Sequence, residues 1–231
     1  MSHRWSARPH PGGAIRLLGG LILLLGASSV PVRAAVFNDV TRDLGLRDDA
    51  RIFLNVTNDY FAPPPTVAVE LVRNSPVPED DFPVILYLAR ASKRPPQEIQ
   101  RLRADYLSWS DIMDRSNVSP SVLFAGIDRD PGPPYGKAWG YWRKHPRDER
   151  IRFRDRDVVE LVKLQVASRS QRVTPYAVAS VRQKEITVEQ YVAEKNRGKY
   201  PKSKGGARGT GGGKPKGSGK PEGHDKPHGH D

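Results

Sequence analysis

The chain has 231 residues, 38 of them basic, 26 acidic and none cysteine, for a formal net charge of +12. The lack of cysteine excludes disulfides, thiolate metal sites, a cysteine nucleophile and lipoprotein attachment, so an apolar core must hold the fold unaided. The charge is spread unevenly: residues 35–196 carry 25 basic and 23 acidic side chains, whereas residues 197–231 carry 9 and 3. The basic character is a property of the C-terminal segment, not of a DNA-binding face on a folded domain.

At the start of the chain, Arg4, Arg8 and Arg16 precede the apolar run Leu17–Leu25 (LLGGLILLL). The stretch ASSVPVRAA follows, with Val32 and Ala34 at the positions where a signal peptidase reads small residues. This pattern predicts a secretory signal peptide over residues 1–34, with Ala34 the last residue removed. The apolar run is shorter than the ~20 residues that span a bilayer, and no later segment is suited to crossing one. No transmembrane anchor is expected after cleavage. No paired arginines mark the twin-arginine route. The expected location is periplasmic or extracellular.

Residues 35–196 suffice for one domain, and they contain an internal repeat. Val69–Phe82 (VELVRNSPVPEDDF), Ile99–Ile112 (IQRLRADYLSWSDI) and Val178–Tyr191 (VASVRQKEITVEQY) align without a gap, at offsets of 30 and 79 residues. The register matches Val69, Ile99 and Val178; Val72, Leu102 and Val181; Arg73, Arg103 and Arg182; Val77, Leu107 and Ile186; and Phe82, Ile112 and Tyr191. Apolar residues three apart fall on one helical face, and prolines at Pro65, Pro95–Pro96 and Pro175 suit a first helical turn. Thr174 is a good cap. Ser108–Asp111 and Thr187–Gln190 have the form of capping boxes, and Pro78–Asp81 keeps only the acidic partner. Each copy therefore reads as a helix–turn–helix hairpin that must stack on its neighbours. The shared arginine closes the first helix, where it suits the dipole. A structural link to Asp81 or Asp111 is favoured for it over a ligand role.

Two apolar stretches that each end in Ala-Ser, Val84–Ser92 and Val158–Ser168, are expected as core helices. The segment Arg51–Phe61 (RIFLNVTNDYF) fits a short strand by the alternation of Ile52, Leu54 and Val56, or a helix ending before Pro63–Pro65. In an all-helical array the helix is preferred. The fold class expected is all-α: three related helix–turn–helix hairpins in one small domain (35–196), with an insert at 119–157 and a disordered Gly/Lys/His tail at 197–231.

Helix–turn–helix spacing invites a DNA reading, but Ile99, Leu102, Leu107 and Ile112 are core positions. Base reading needs polar side chains on an exposed second helix, and WSDIM supplies few. Sequence-specific DNA binding is not expected. The insert, Ser119–Asp157, is too aromatic for a plain linker: it holds Tyr135, Lys137, Trp139, Tyr141 and Trp142, then Arg143, Lys144 and His145. Two readings remain open. The aromatics fill the gap between repeats, as the tendency of aromatic rings to bury favours, or they form an exposed platform for a glycan or peptide.

The combination of SWSDI in a hairpin, GPPYGKAWGYWRK in the insert and a Gly/Lys/His tail resembles a group of exported bacterial proteins of unknown function. It covers the chain from about Tyr60 onward, with Asp105 where a glycine is commoner. The resemblance implies an exported helical fold and no catalytic activity.

Between the signal and the tail the only histidine is His145, which lies beside Pro146 with no nucleophile-elbow motif near it. No cofactor is expected. In the tail, the nine basic residues suit anionic surfaces such as lipopolysaccharide, wall polymers or extracellular nucleic acid. His224, His228 and His230, with Asp225 and Asp231, could gather a transition metal loosely. The functional expectation is a non-enzymatic interaction or structural module of the cell envelope, whose partner is an envelope glycan, protein or anionic polymer. Polyanion or metal binding through the tail is the alternative, and an exported enzyme the third reading.

Overall fold

The computed structural model describes residues 29–73, 75–145 and 151–200, with side chains from Ala35 onward. They form one all-α domain with no strand among the described residues. The helices are α1 (Ser29–Asp43), α2 (Asp48–Phe61), α3 (Pro65–Arg73), α4 (Phe82–Ser92), α5 (Pro96–Ala104), α6 (Trp109–Arg115), α7 (Gly136–Lys144), α8 (Asp155–Gln171), α9 (Pro175–Arg182) and α10 (Val188–Lys195), with 3-10 turns at Glu79–Asp81 and Pro120–Phe124.

The two apolar stretches expected as core helices are α4 and α8, and they pack on each other at the centre. Both are covered on every side: Phe82–Ala89 and Leu161–Ser168 are buried without interruption. The same is true of Arg51–Asn58 in α2, which lies against α1, α4, α8 and α10. That settles the ambiguity of this segment in favour of a helix. Its polar stripe, Arg51, Asn55 and Asn58, is itself buried against other helices, so the sequence shows no solvent-facing side.

α1 runs through the expected cleavage point between Ala34 and Ala35. Ala35 and Val36 are exposed, and Phe37 is the first buried side chain described. A polar seam joins α1 to α2. The buried Arg51 donates from Nη1 to Asn38 Oδ1 at 2.7 Å, and Asn55 Nδ2 donates to Thr41 Oγ1 at 2.9 Å and to the Arg51 carbonyl at 2.8 Å. Sequence reasoning passed over both α1 and this seam.

The three hairpins are present as α3 with α4, α5 with α6, and α9 with α10, but the gapless register fails in the first. The helices begin at Pro65, Pro96 and Pro175, so their starts are offset by 31 and 79 residues and not by 30 and 79. Counted from that proline, the fourth helical residue is buried in every copy: Ala68, Ile99 and Val178. Val69 and Val72 are only half-buried, and the buried side chains of α3 are Ala68 and Leu71. Proline fixes the helix start, and the start fixes the face. The spare residue of the first copy lies in its turn. Arg73 is thereby exposed and is not the counterpart of Arg103 and Arg182. The second helix of that copy is also not separate: the turn Glu79–Asp81 leads straight into α4. In the second copy Leu102 and Leu107 are half-buried beside the buried Ile112; in the third, Ile186 is exposed and Tyr191 half-buried.

Capping follows the sequence closely. Thr187 and Gln190 form a complete capping box, with Thr187 N–H donating to Gln190 Oε1 at 2.9 Å and Gln190 N–H to Thr187 Oγ1 at 3.1 Å. Thr174 Oγ1 accepts the Ala177 N–H at 3.2 Å. Ser108 Oγ accepts the Asp111 N–H, but the Asp111 carboxylate takes the Ser108 hydroxyl at 2.6 Å, not its backbone N–H, so this box is half-made. Several corners close on a non-glycine residue in the left-handed region: Ala62, Lys93, Tyr106, Asn117, Arg172 and Glu185, with φ between 49° and 61°.

The folded part extends past Asn196. Tyr200 is buried, its hydroxyl donating to Asp59 Oδ2 at 2.5 Å, and Lys199 Nζ lies 3.0 Å from the same oxygen. Packing thus reaches at least Tyr200, beyond the boundary expected at residue 196. Residues 1–28, which hold the apolar run of the expected signal, and residues 201–231, which hold His224, His228 and His230, lie outside the described residues.

Candidate functional site

The SWSDI motif is used up by packing. Trp109 is fully buried at the start of α6. Its backbone N–H donates to Asp155 Oδ1 at 2.8 Å, its indole N–H to Asp81 Oδ1 at 3.3 Å, and the Arg103 guanidinium lies 4.8 Å from its ring centroid. Arg103 in turn donates from Nε to Asp81 at 2.8 Å, from Nη1 to Asp155 at 2.6 Å, and to the Leu107 carbonyl at 2.9 Å. Burial on its own would lower the Arg103 pKa, but the hydrogen bonds to Asp81 and Asp155 outweigh it and raise it. Ser110 Oγ accepts the Phe153 N–H at 2.8 Å and donates to its carbonyl at 3.1 Å. The arginine expected to bridge to Asp81 or Asp111 thus selects Asp81, adds Asp155, and binds the start of α8 to two hairpins. Arg182 repeats one of these contacts, donating to the Ile186 carbonyl at 3.4 Å.

A second ionic cluster, not foreseen from the sequence, lies where α8 meets α10. Lys163 is buried between Glu189 at 2.5 Å and Asp80 at 2.9 Å. Burial would lower the ammonium pKa, but Glu189 and Asp80 together raise it; burial would raise Glu189, but Lys163, together with Glu189's own hydrogen bonds to the backbone and Thr187, lowers it. Glu160 sits beside this pair, and burial raises its pKa against the pull of Lys163 and Arg182. These groups are far apart in sequence, which left no local signal to find them.

The insert is not a bare loop: it carries the 3-10 turn at Pro120–Phe124 and α7. Tyr176 pins its first half, donating to Asp128 Oδ1 at 2.6 Å and accepting the N–H groups of Asp128 and Arg129 at 2.8 and 2.7 Å. The GPPYG stretch then turns tightly into the helix. Asp130 Oδ1 accepts the Gly132 N–H at 2.8 Å, and a Cβ on Gly136 would meet that oxygen at 2.7 Å and displace it.

The five aromatic and basic candidates separate. Tyr135 is in the core and not on a platform. Its phenol lies among Glu160, Arg182 and Glu189, has no hydrogen-bond partner among the described residues, and has its pKa raised by burial. Trp142 is half-buried and stacks on Phe124 at 4.7 Å and 13°, and Trp139 is half-buried beneath the Arg143 guanidinium at 5.6 Å. The gap-filling reading therefore holds for Tyr135 and for the inner faces of both tryptophans. Lys137 and Tyr141 are exposed, Tyr141 to 47 %.

Lys137, Tyr141 and His145 recur every fourth residue and form one exposed stripe along α7 and the residue that ends it. The Tyr141 ring is braced edge-on against Phe153 at 6.1 Å and lies 5.2 Å from the His145 ring. α7 contains no carboxylate, and its last turn adds Arg143 and Lys144. Among the described residues none of these cations makes an ion pair, and no group of acids and histidines is placed to hold a metal. Among the described residues no helix is long and apolar enough to cross a membrane.

Comparisons with family models, curated proteins and solved structures return no match for this chain.

Proposed function

We propose that this chain is an exported, non-enzymatic interaction module of the cell envelope: a helical frame that presents α7 to its partner. The observation that carries the reading is the division of labour among its polar and aromatic residues. The repeat motifs are consumed by the frame, since Trp109, Arg103, Asp81 and Asp155 satisfy one another and Ser110 pairs with the Phe153 backbone. By contrast, Lys137, Tyr141 and Lys144 are exposed and take part in no ion pair among the described residues, and the Tyr141 ring rests on Phe153 and His145. Exposed aromatic and cationic side chains braced on a packed helix are characteristic of recognition surfaces.

The test is capture from an envelope extract with the full chain and a Lys137→Ala/Tyr141→Ala variant. Loss of the captured material with the double variant, at unchanged melting temperature, supports the reading, and equal capture refutes it. A second reading rests on residues 197–231, whose basic excess favours anionic polymers. It predicts capture that is indifferent to the double substitution and abolished when the chain ends at Tyr200.

A further inference from the structure

We propose that the ligand of α7 is an acidic polysaccharide, with one sugar ring laid on Tyr141 and its neighbours' anionic groups held by Lys137 and Lys144. The proposal rests on the interaction reading above and names the chemistry of its ligand.

Four features of α7 lead there. First, successive members of the stripe are four residues apart, which is about 6 Å along a helix axis. That is close to the length of one sugar unit, so a chain lying along the helix meets a new side chain at each ring. Second, lysine donates hydrogen bonds and accepts none, and α7 itself carries no carboxylate, while Asp130 at its start is turned to the Gly132 N–H. The ligand must therefore bring the acceptors and the negative charge. Third, the Tyr141 ring is held in place before binding. Its edge rests against Phe153 at an interplanar angle of 86°, and the His145 ring, whose Nδ1 is 3.1 Å from the Tyr141 carbonyl, flanks it. A braced ring loses little freedom when a sugar stacks on it. Fourth, the clefts at α1 and α3, at α2 and α10, and the small ones beside Asp114 and Phe153 are not lined by α7 residues. A protein partner would want a pocket for an apolar anchor. Single-stranded nucleic acid would want a run of aromatic faces along a basic groove, whereas α7 exposes one such face.

The full chain is titrated calorimetrically with tetragalacturonate at about 0.3 M salt, where purely electrostatic retention by the C-terminal segment is weakened. Parallel titrations use maltotetraose, tetraglutamate and a thymidine tetranucleotide. The expected result is saturable binding of tetragalacturonate that weakens about tenfold or more in Tyr141→Ala and in Lys137→Ala. Both side chains are exposed, so both variants should melt as the parent does. Equal binding of maltotetraose overturns the requirement for charge. Tighter binding of tetraglutamate or the nucleotide overturns the assignment to a sugar. Binding that is unchanged in both variants places the site off α7. If tetragalacturonate does not bind yet envelope capture still depends on Lys137 and Tyr141, the ligand class falls while the interaction reading stands; if capture is indifferent too, both fall.

Discussion

Arg103 Nε donates to Asp81 across 2.8 Å, tying the second hairpin to the foot of the first. The Asp81 side chain is almost wholly buried, and Asp155 shares the same guanidinium at 2.6 Å. Removing the arginine would leave two carboxylates, one of them buried, facing a low-dielectric interior. Arg103→Ala should cost about 3–5 kcal/mol, the range for breaking a buried pair by deleting one partner. Arg73→Ala, at the exposed position that the gapless alignment equates with it, should cost less than about 0.5 kcal/mol. Urea denaturation of the two variants compares them directly.

The one-residue phase change in α3 makes a second contrast. Ile99 and Ile112 are fully buried, and truncating either to alanine should cost about 2–5 kcal/mol. Leu102→Ala should cost less, because Leu102 is half-buried, and Val69→Ala less again. If thermal melts ranked Val69→Ala with Ile99→Ala, α3 would be turned to the face that the gapless register implies.

Glu160 and Glu189 should respond to pH in opposite senses. A carboxyl whose folded pKa is raised binds a proton in the fold that the unfolded chain has already released. Its contribution to stability is complete below the ordinary glutamate value and is lost as pH rises through the folded one. Burial places Glu160 in this class. Glu160→Gln should therefore raise the melting temperature by a few degrees near neutral pH and give no gain in acid. Glu189, lowered because Lys163 and its own hydrogen bonds outweigh its burial, contributes above the ordinary value and loses that contribution as pH falls. Glu189→Gln should be destabilising at neutral pH, and melts over a pH series would show the two trends crossing.

Tyr200 carries the packed region past Asn196. Burying a large side chain is worth roughly 1.5–3 kcal/mol, and Tyr200 adds a hydrogen bond to Asp59. A chain ending at Tyr200 should match the full chain in chemical denaturation, whereas one ending at Asn196 should lose stability of that order.

The other end of the chain is tested by mass spectrometry of the N-terminus isolated from its native source. The cleavage pattern predicts a chain starting near Ala35, two residues before the buried Phe37. Recovery of intact Met1 from a cytoplasmic pool would contradict export.

What the sequence made legible was mostly local. The Thr187 capping box joins residues three apart, and the runs inside α4 and α8 announce buried helices by hydrophobicity alone. Other features depended on distance or on counting. Arg103 and Asp155 are 52 residues apart, and no pattern within either segment points to the other. The Lys163 cluster is hidden for the same reason. The phase of α3 was lost because a gapless alignment cannot show one additional residue in a turn. α7 gives little helical signal because Gly136 and Gly140 lie among prolines and aromatics, residues of middling or poor helix propensity. Of the proposed surface, Lys137 and Tyr141 were legible as candidates. Their separation from Tyr135 was not, because a position in the aromatic run does not by itself say which rings face inward.

The corners of the hairpins bear on how such a surface would meet a ligand. Tyr106, 97 % exposed, and Glu185 occupy matching places in the second and third turns, each with φ 61°. An L-residue there gives up roughly 1–2 kcal/mol relative to glycine, yet its Cβ also narrows the range of backbone shapes open to the turn. Corners of this kind make poor pivots. Relative rotation of the two helices in either hairpin would have to be absorbed by residues already confined to a small region of backbone space. The frame beneath α7 is thus biased toward one arrangement before any encounter, and a partner would be selected by a standing contour, with little free energy diverted into reshaping it.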